Sequence, residues 1–143
     1  MIRTIIIILL LLGFAAIVTQ GCESHAGNIS VAPKDLSQQM DVLSIYQGQM
    51  GDDIKRNDLE GAEMMLDGMD SVLHQIIATI DSHPILNKPF GYYYESKLED
   101  PISDLKKAIR SGNQENATNK YKLLVKKCNS CHNLHDVEER AHE

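Results

Sequence analysis

Cys128-Asn129-Ser130-Cys131-His132 places two thiols and an imidazole within little more than one helical turn. On a helix, thiols three positions apart share a face, and each can form a thioether to a haem vinyl group. The imidazole that follows then lies under the ring and can bind iron. This CxxCH spacing is the attachment sequence of a covalent c-type haem, one per chain here. Other uses of a CxxC pair ask for more than the chain offers. A zinc site wants a second ligand pair, yet the remaining cysteine, Cys22, belongs to no CxxC and no HxxxH is present. A thioredoxin-like pair wants a βαβ setting. A disulfide between Cys128 and Cys131 would close so small a loop that it would stabilise little.

Haem so placed must be gripped by helices, and four amphipathic stretches fit the chain. The first starts near Pro33, with Leu36, Met40, Leu43, Tyr46 or Gln47, Met50 and Ile54 at steps of three and four. The second starts at Asn57-Asp58-Leu59-Glu60, where Asn57 is the expected cap and Glu60 closes a capping box. Its stripe of Leu59, Ala62, Met65, Leu66, Met69, Val72, Leu73, Ile76, Ile77 and Ile80 is the widest in the chain and stops at Ser82-His83-Pro84. Residues 82–100 carry Pro84, Pro89 and Gly91 and read as irregular, with Tyr92, Tyr93 and Tyr94 closing the haem edge, forming a docking surface or simply packing loop to core. A third helix is expected from Asp100-Pro101 to Ser111-Gly112, a longer version from Glu95 carrying Pro101 as a kink. The fourth runs from about Gln114 to His135, with Ala117, Tyr121, Leu124, Cys128 and Cys131 on its stripe. No strand pattern, phosphate loop, nucleophile elbow or repeat competes. Four helices with short connections in about 110 residues predict an all-α, antiparallel up-down-up-down four-helix bundle with its CxxCH site on the last helix.

The N-terminal segment is read as a targeting signal over residues 1–21. Arg3 is its positive region, and Ile5 to Val18 is an apolar run short for a spanning helix. Val18-Thr19-Gln20-Gly21-Cys22 resembles the lipobox of bacterial lipoproteins, with Gly21 and Cys22 matching and Thr19 standing where Leu is usual. The resemblance implies cleavage before Cys22, lipid on that thiol, a tether over residues 22–32 and a domain over residues 33–143; ordinary cleavage near Gly21 and an uncleaved anchor are the alternatives. It leaves no spare cysteine, and it puts the protein on the periplasmic face of a membrane. Losing residues 1–21 removes one cation, Arg3, and no anion, which moves the formal charge from −6 to −7. That acidity argues against nucleic acid as a partner and suits a redox protein with a basic docking patch, although it also serves solubility alone.

A CxxCH motif preceded by three helices resembles the class II c-type cytochromes, the cytochrome c′ type and its low-spin relatives, over residues 33 to about 136. In that family the His of CxxCH is the proximal iron ligand, a role that falls on His132. Low-spin members use a Met early in the first helix, which puts Met40 in the distal position. The family's frequent Arg one turn earlier is replaced by Leu36. In cytochrome c′ itself an apolar residue leaves the iron five-coordinate and open to small gases. In an antiparallel bundle the start of helix one adjoins the end of helix four, so Met40 and His132 can share one haem.

Met50, Met64, Met65 and Met69 read as core methionines. His25, His74 and His83 are rival ligands: His25 lies in the tether, His74 is placed away from the haem end, and His83 adjoins a proline turn. His135 and His142 are expected to face solvent. Tyr121, two turns before Cys128, is placed to pack on the ring. Lys126 and Lys127 either pair with haem propionates or form a solvated face. A His/Met pair predicts an electron carrier, because the thioether stabilises ferrous iron relative to a second His. An open iron predicts a gas-binding protein such as one that takes up nitric oxide, and a third option is a lipoprotein whose haem only stabilises the bundle. No acid/base constellation points to an enzyme. The family's habit of pairing through its first two helices leaves a homodimer open.

Overall fold

A computed structural model describes residues 35–80 and 82–142. The expected signal segment, Cys22, the tether, His25 and Pro33 lie outside these residues. Helix α1, Leu36–Lys55, is capped by Asp35, whose carboxylate accepts from the Ser37 N–H at 2.9 Å. It ends where Asn57 adopts a left-handed φ of 59°, with the Asp58 N–H reaching back to the Asp53 carbonyl at 2.9 Å. Asn57 therefore terminates α1 and does not cap the next helix, because asparagine tolerates this conformation better than most side chains. The cap of α2, Leu59–Thr79, is Asp58, whose side chain accepts from Gly61 N–H at 3.0 Å.

The third helical arm begins at Phe90, ten residues before Asp100 and five before Glu95, so the longer of the two expected versions, with Pro101 inside the helix, is the nearer one. Phe90–Tyr93 (α3), a π-helical turn over Tyr94–Leu98, and Glu99–Arg110 (α4) follow one another without a break. The three tyrosines therefore lie on this arm and not in a loop. Pro101 explains the π turn: a proline cannot donate a backbone hydrogen bond and its ring crowds the carbonyl four residues earlier. The Glu99 N–H bonds to the Tyr94 carbonyl, five residues back, and this widened turn lets the helix pass the proline. Pro101 and Ile102 are buried. Gly112, at φ 71°, ends the arm as expected. Helix α5, Gln114–Leu134, is capped by Asn113, which accepts from Asn116 N–H at 2.9 Å.

Among the described residues the protein is all-helical. α1 packs on α2, α2 on α4, α4 on α5, and α5 on α1. Met50, Ile54, Leu66, Ile76, Leu105 and Leu124 form the fully buried centre, each burial contributing roughly 1.5–3 kcal/mol. The Gln114 amide donates to the Ile54 carbonyl at 2.8 Å, pinning the start of α5 to the end of α1. Ion pairs Lys106–Asp67 and Arg110–Glu63 join α4 to α2 at 2.5 and 2.7 Å and, being exposed, add little. No described helix is long and apolar enough to cross a membrane.

Candidate cofactor site

The last turns of α5 open onto a cavity of about 530 Å³, within the size range of small-molecule and cofactor pockets. Cys128, Cys131 and His132 line it from α5, and Met40 and Leu43 from α1. Met69 and Leu73 line it from α2, Phe90 and Tyr93 from α3, and Lys97 and Leu98 from the π turn. Residues 138–142, beyond α5, complete the wall. The walls are mostly apolar, with positive charge from Lys97 and Arg140 and negative charge from Asp41, Glu138 and Glu139.

This juxtaposition follows from the helix connections. Met40 near the start of α1 and Cys128, Cys131 and His132 near the end of α5 line one cavity, so side chains far apart in sequence share a chamber. The same geometry corrects the expectation for His74. Met69 and Leu73 lie in the cavity wall, so α2 carries His74 toward the cavity end rather than away from it. Its ring nonetheless sits outside the chamber, Nε2 3.2 Å from the Tyr94 hydroxyl and the side chain 59% exposed. His83 Nδ1 accepts from the Ile85 N–H at 3.3 Å and contributes nothing to the cavity.

Both thiols are free. Burial pushes the Cys128 thiol up to about 11, and the neighbouring Cys131 adds to the shift. Burial also raises Cys131, opposed by the ammonium of Lys97. The thiols are thus held neutral until a partner reacts with them. His132 has Nδ1 2.8 Å from the Glu139 carbonyl. A carbonyl can only accept, so Nδ1 carries the proton and Nε2 keeps its lone pair for a metal.

Those donors suit haem better than a bare ion. Among the described residues no group of three or more His, Cys, Asp or Glu could hold a metal, whereas iron in a porphyrin needs only one or two ligands from the protein. Two thiols, one imidazole with a free Nε2, a thioether and apolar walls fit that demand.

Met69, expected to be plain core, is a second thioether in the wall and is almost fully buried at 3% exposure. Met50 is in the core, Met65 is partly buried against it, and Met64 is exposed. Tyr121 is buried but does not line the cavity; it packs against Gly51 of α1, and its hydroxyl bonds with Gln47 and the His142 carbonyl. Lys126 and Lys127 line neighbouring surface clefts, leaving Lys97 as the lysine in the cavity wall. His135 is partly buried against Tyr93, ring centroids 5.1 Å apart, instead of facing solvent, and its Nε2 has no partner. His142 is exposed yet touches the cavity. The one signal for Met69 is its place on the apolar stripe of α2; Lys97 and residues 138–142 carry none, because a π turn and an irregular tail have no periodicity.

Comparison with protein-family models, curated proteins and solved structures finds no match.

Proposed function

We propose that the chain is a monohaem c-type cytochrome that carries electrons, built as an antiparallel up-down-up-down bundle of the class II kind. The observation that carries this is one apolar cavity lined by both thiols and the imidazole of a CxxCH run together with the Met40 thioether. Haem c bound there supplies one-electron redox chemistry. Cys128 and Cys131 would hold it covalently. His132 would be the proximal ligand through Nε2, oriented by the Glu139 carbonyl. Met40 would be the distal ligand and favour the ferrous state. Phe90, Leu73, Leu98 and Leu124 give the chamber apolar walls, against which a bound haem would need less solvent rearrangement at each electron transfer. Lys97 and Arg140, the cations of the cavity wall, would neutralise the haem carboxylates. Lipid on Cys22 would tether the carrier to the periplasmic face of a membrane, where its acidic surface suits a redox partner with a basic docking patch.

Optical spectra of the oxidised and reduced protein, with and without carbon monoxide, test this. A low-spin spectrum unaffected by carbon monoxide is the expected result. A high-spin spectrum with ready carbon monoxide binding to the reduced form would replace electron carriage with gas binding of the cytochrome c′ type. A spectrum without haem would contradict both.

A further inference from the structure

Beyond α5 the chain turns back. Asp136 takes a left-handed φ of 53° and the Val137 N–H returns to the His132 carbonyl at 3.0 Å, closing a glycine-type helix end without glycine. The reversal carries residues 138–142 across the cavity and sets the Glu139 carbonyl 2.8 Å from His132 Nδ1. Glu139 and Arg140 are themselves exposed. Ordering an exposed residue costs at least about as much as one hydrogen bond contributes. The Glu139 carbonyl therefore gains little hold from its own bond to His132.

A second contact holds it. The Asn129 side-chain amide donates to the Ala141 carbonyl at 3.0 Å and its oxygen accepts the Ala141 N–H at 2.8 Å, so one side chain pairs with both backbone groups of one strap residue. The next carbonyl, that of His142, accepts from Gln47 at 2.5 Å and from the Tyr121 hydroxyl at 3.1 Å. The strap is thereby tied to α5 and α1 on the far side of Glu139 from His132.

We propose that Asn129, the first variable residue of the Cys128–His132 run, is a positioning residue that sets the register of a C-terminal strap and through it fixes the tautomer of His132. The proposal rests on the cytochrome reading only in taking His132 as the metal ligand; the strap and tautomer can be read without haem. Asparagine suits the task because it is both donor and acceptor. Aspartate keeps only the bond from the Ala141 N–H, and alanine keeps neither.

The test uses full-length Asn129→Ala and Asn129→Asp beside the parent chain, with helical content checked by circular dichroism; if Asn129→Ala fails to fold, Asn129→Asp is read in its place. In haem-free protein, losing both bonds should speed Ala141 amide exchange about tenfold or more, with Asn129→Asp between. The His132 ¹⁵N spectrum should move from the Nδ1–H tautomer toward the Nε2–H form that imidazole prefers in water. In haem-loaded protein the reduction potential should rise, because a less firmly hydrogen-bonded imidazole is a weaker donor. Unchanged Ala141 exchange overturns the strap. Faster exchange with an unmoved tautomer overturns the positioning role. If exchange and tautomer both respond but the chain never takes up haem, the strap stands and the cytochrome reading falls.

Discussion

Met40, in the second turn of α1, and His132, in the last turn of α5, line one cavity. α1 and α5 pack directly on each other. A thioether and an imidazole on two braced helices can serve one iron with little movement between its oxidation states, which is what an electron carrier needs.

Met69 shares that cavity, so the thioethers must be separated experimentally. With haem bound, Met40→Ala is expected to turn the spectrum from low to high spin, abolish the far-red charge-transfer band of a Met-ligated ferric haem, and admit carbon monoxide. Met69→Leu, close in volume, should leave ligation intact at a cost under about 1.5 kcal/mol. The reverse pattern would move the distal role to Met69.

The thiols predict an order of reactivity. In native haem-free protein at pH 8.5, where a free cysteine is about half ionised, alkylation should be slow at both sites and slower at Cys128 than at Cys131. The Cys128 rate should keep climbing toward pH 11, in line with the shift that burial imposes. Lys97→Ala should slow Cys131 selectively, because it removes the charge that favours its thiolate. Mass spectrometry of timed digests reads both sites, and equal rates at both would contradict the cavity's electrostatics.

Gly51 allows α1 and α5 to approach. A Cβ there would overlap the Tyr121 hydroxyl, which is buried and bonded to Gln47 and the His142 carbonyl. Gly51→Ala is expected to destabilise the fold by about 1–3 kcal/mol through overpacking, and to speed exchange in the strap by disturbing Tyr121. A denaturant midpoint equal to the parent's would show that Tyr121 has room to yield.

Tyr94 predicts alkaline behaviour. Burial, then the hydrogen bond it donates to Asp70 at 2.8 Å and the charges of Asp70 and Glu99, hold its phenol well above the usual value near 10. The folded state thus holds this proton more tightly than the unfolded chain. Its contribution is fully present below pH 10 and is lost as pH rises toward the folded value. The stability advantage of the parent over Tyr94→Phe should be flat from pH 7 to 9 and shrink above pH 10. Denaturant melts across that range check it; an advantage that grows with pH would contradict the assignment.

Much of this arrangement was legible in the residues. The spacing of Leu36, Met50 and Ile54 on α1, and of Ala62, Leu66, Met69, Leu73 and Ile76 on α2, gave the buried faces, because burial on a helix imposes a 3.6-residue period. The cap falls on Asp58 and not on Asn57 because Asn57 serves the end of one helix while Asp58 starts the next, and both jobs favour the same residue types. The third arm was shortened because Pro84, Pro89, Gly91 and Pro101 all signal breaks, and only the structure reveals a π turn that carries the helix past Pro101. The strap was invisible because its order comes from Asn129, Gln47 and Tyr121, partners remote in sequence.

The most direct test of the central claim is the intact mass of the denatured polypeptide after expression in a host that matures c-type haem. A covalent c-type cytochrome should show a mass increased by one haem that survives denaturation and is lost when Cys128 and Cys131 are both replaced by alanine. A polypeptide that leaves its haem behind on denaturation, or never carries any, would contradict it.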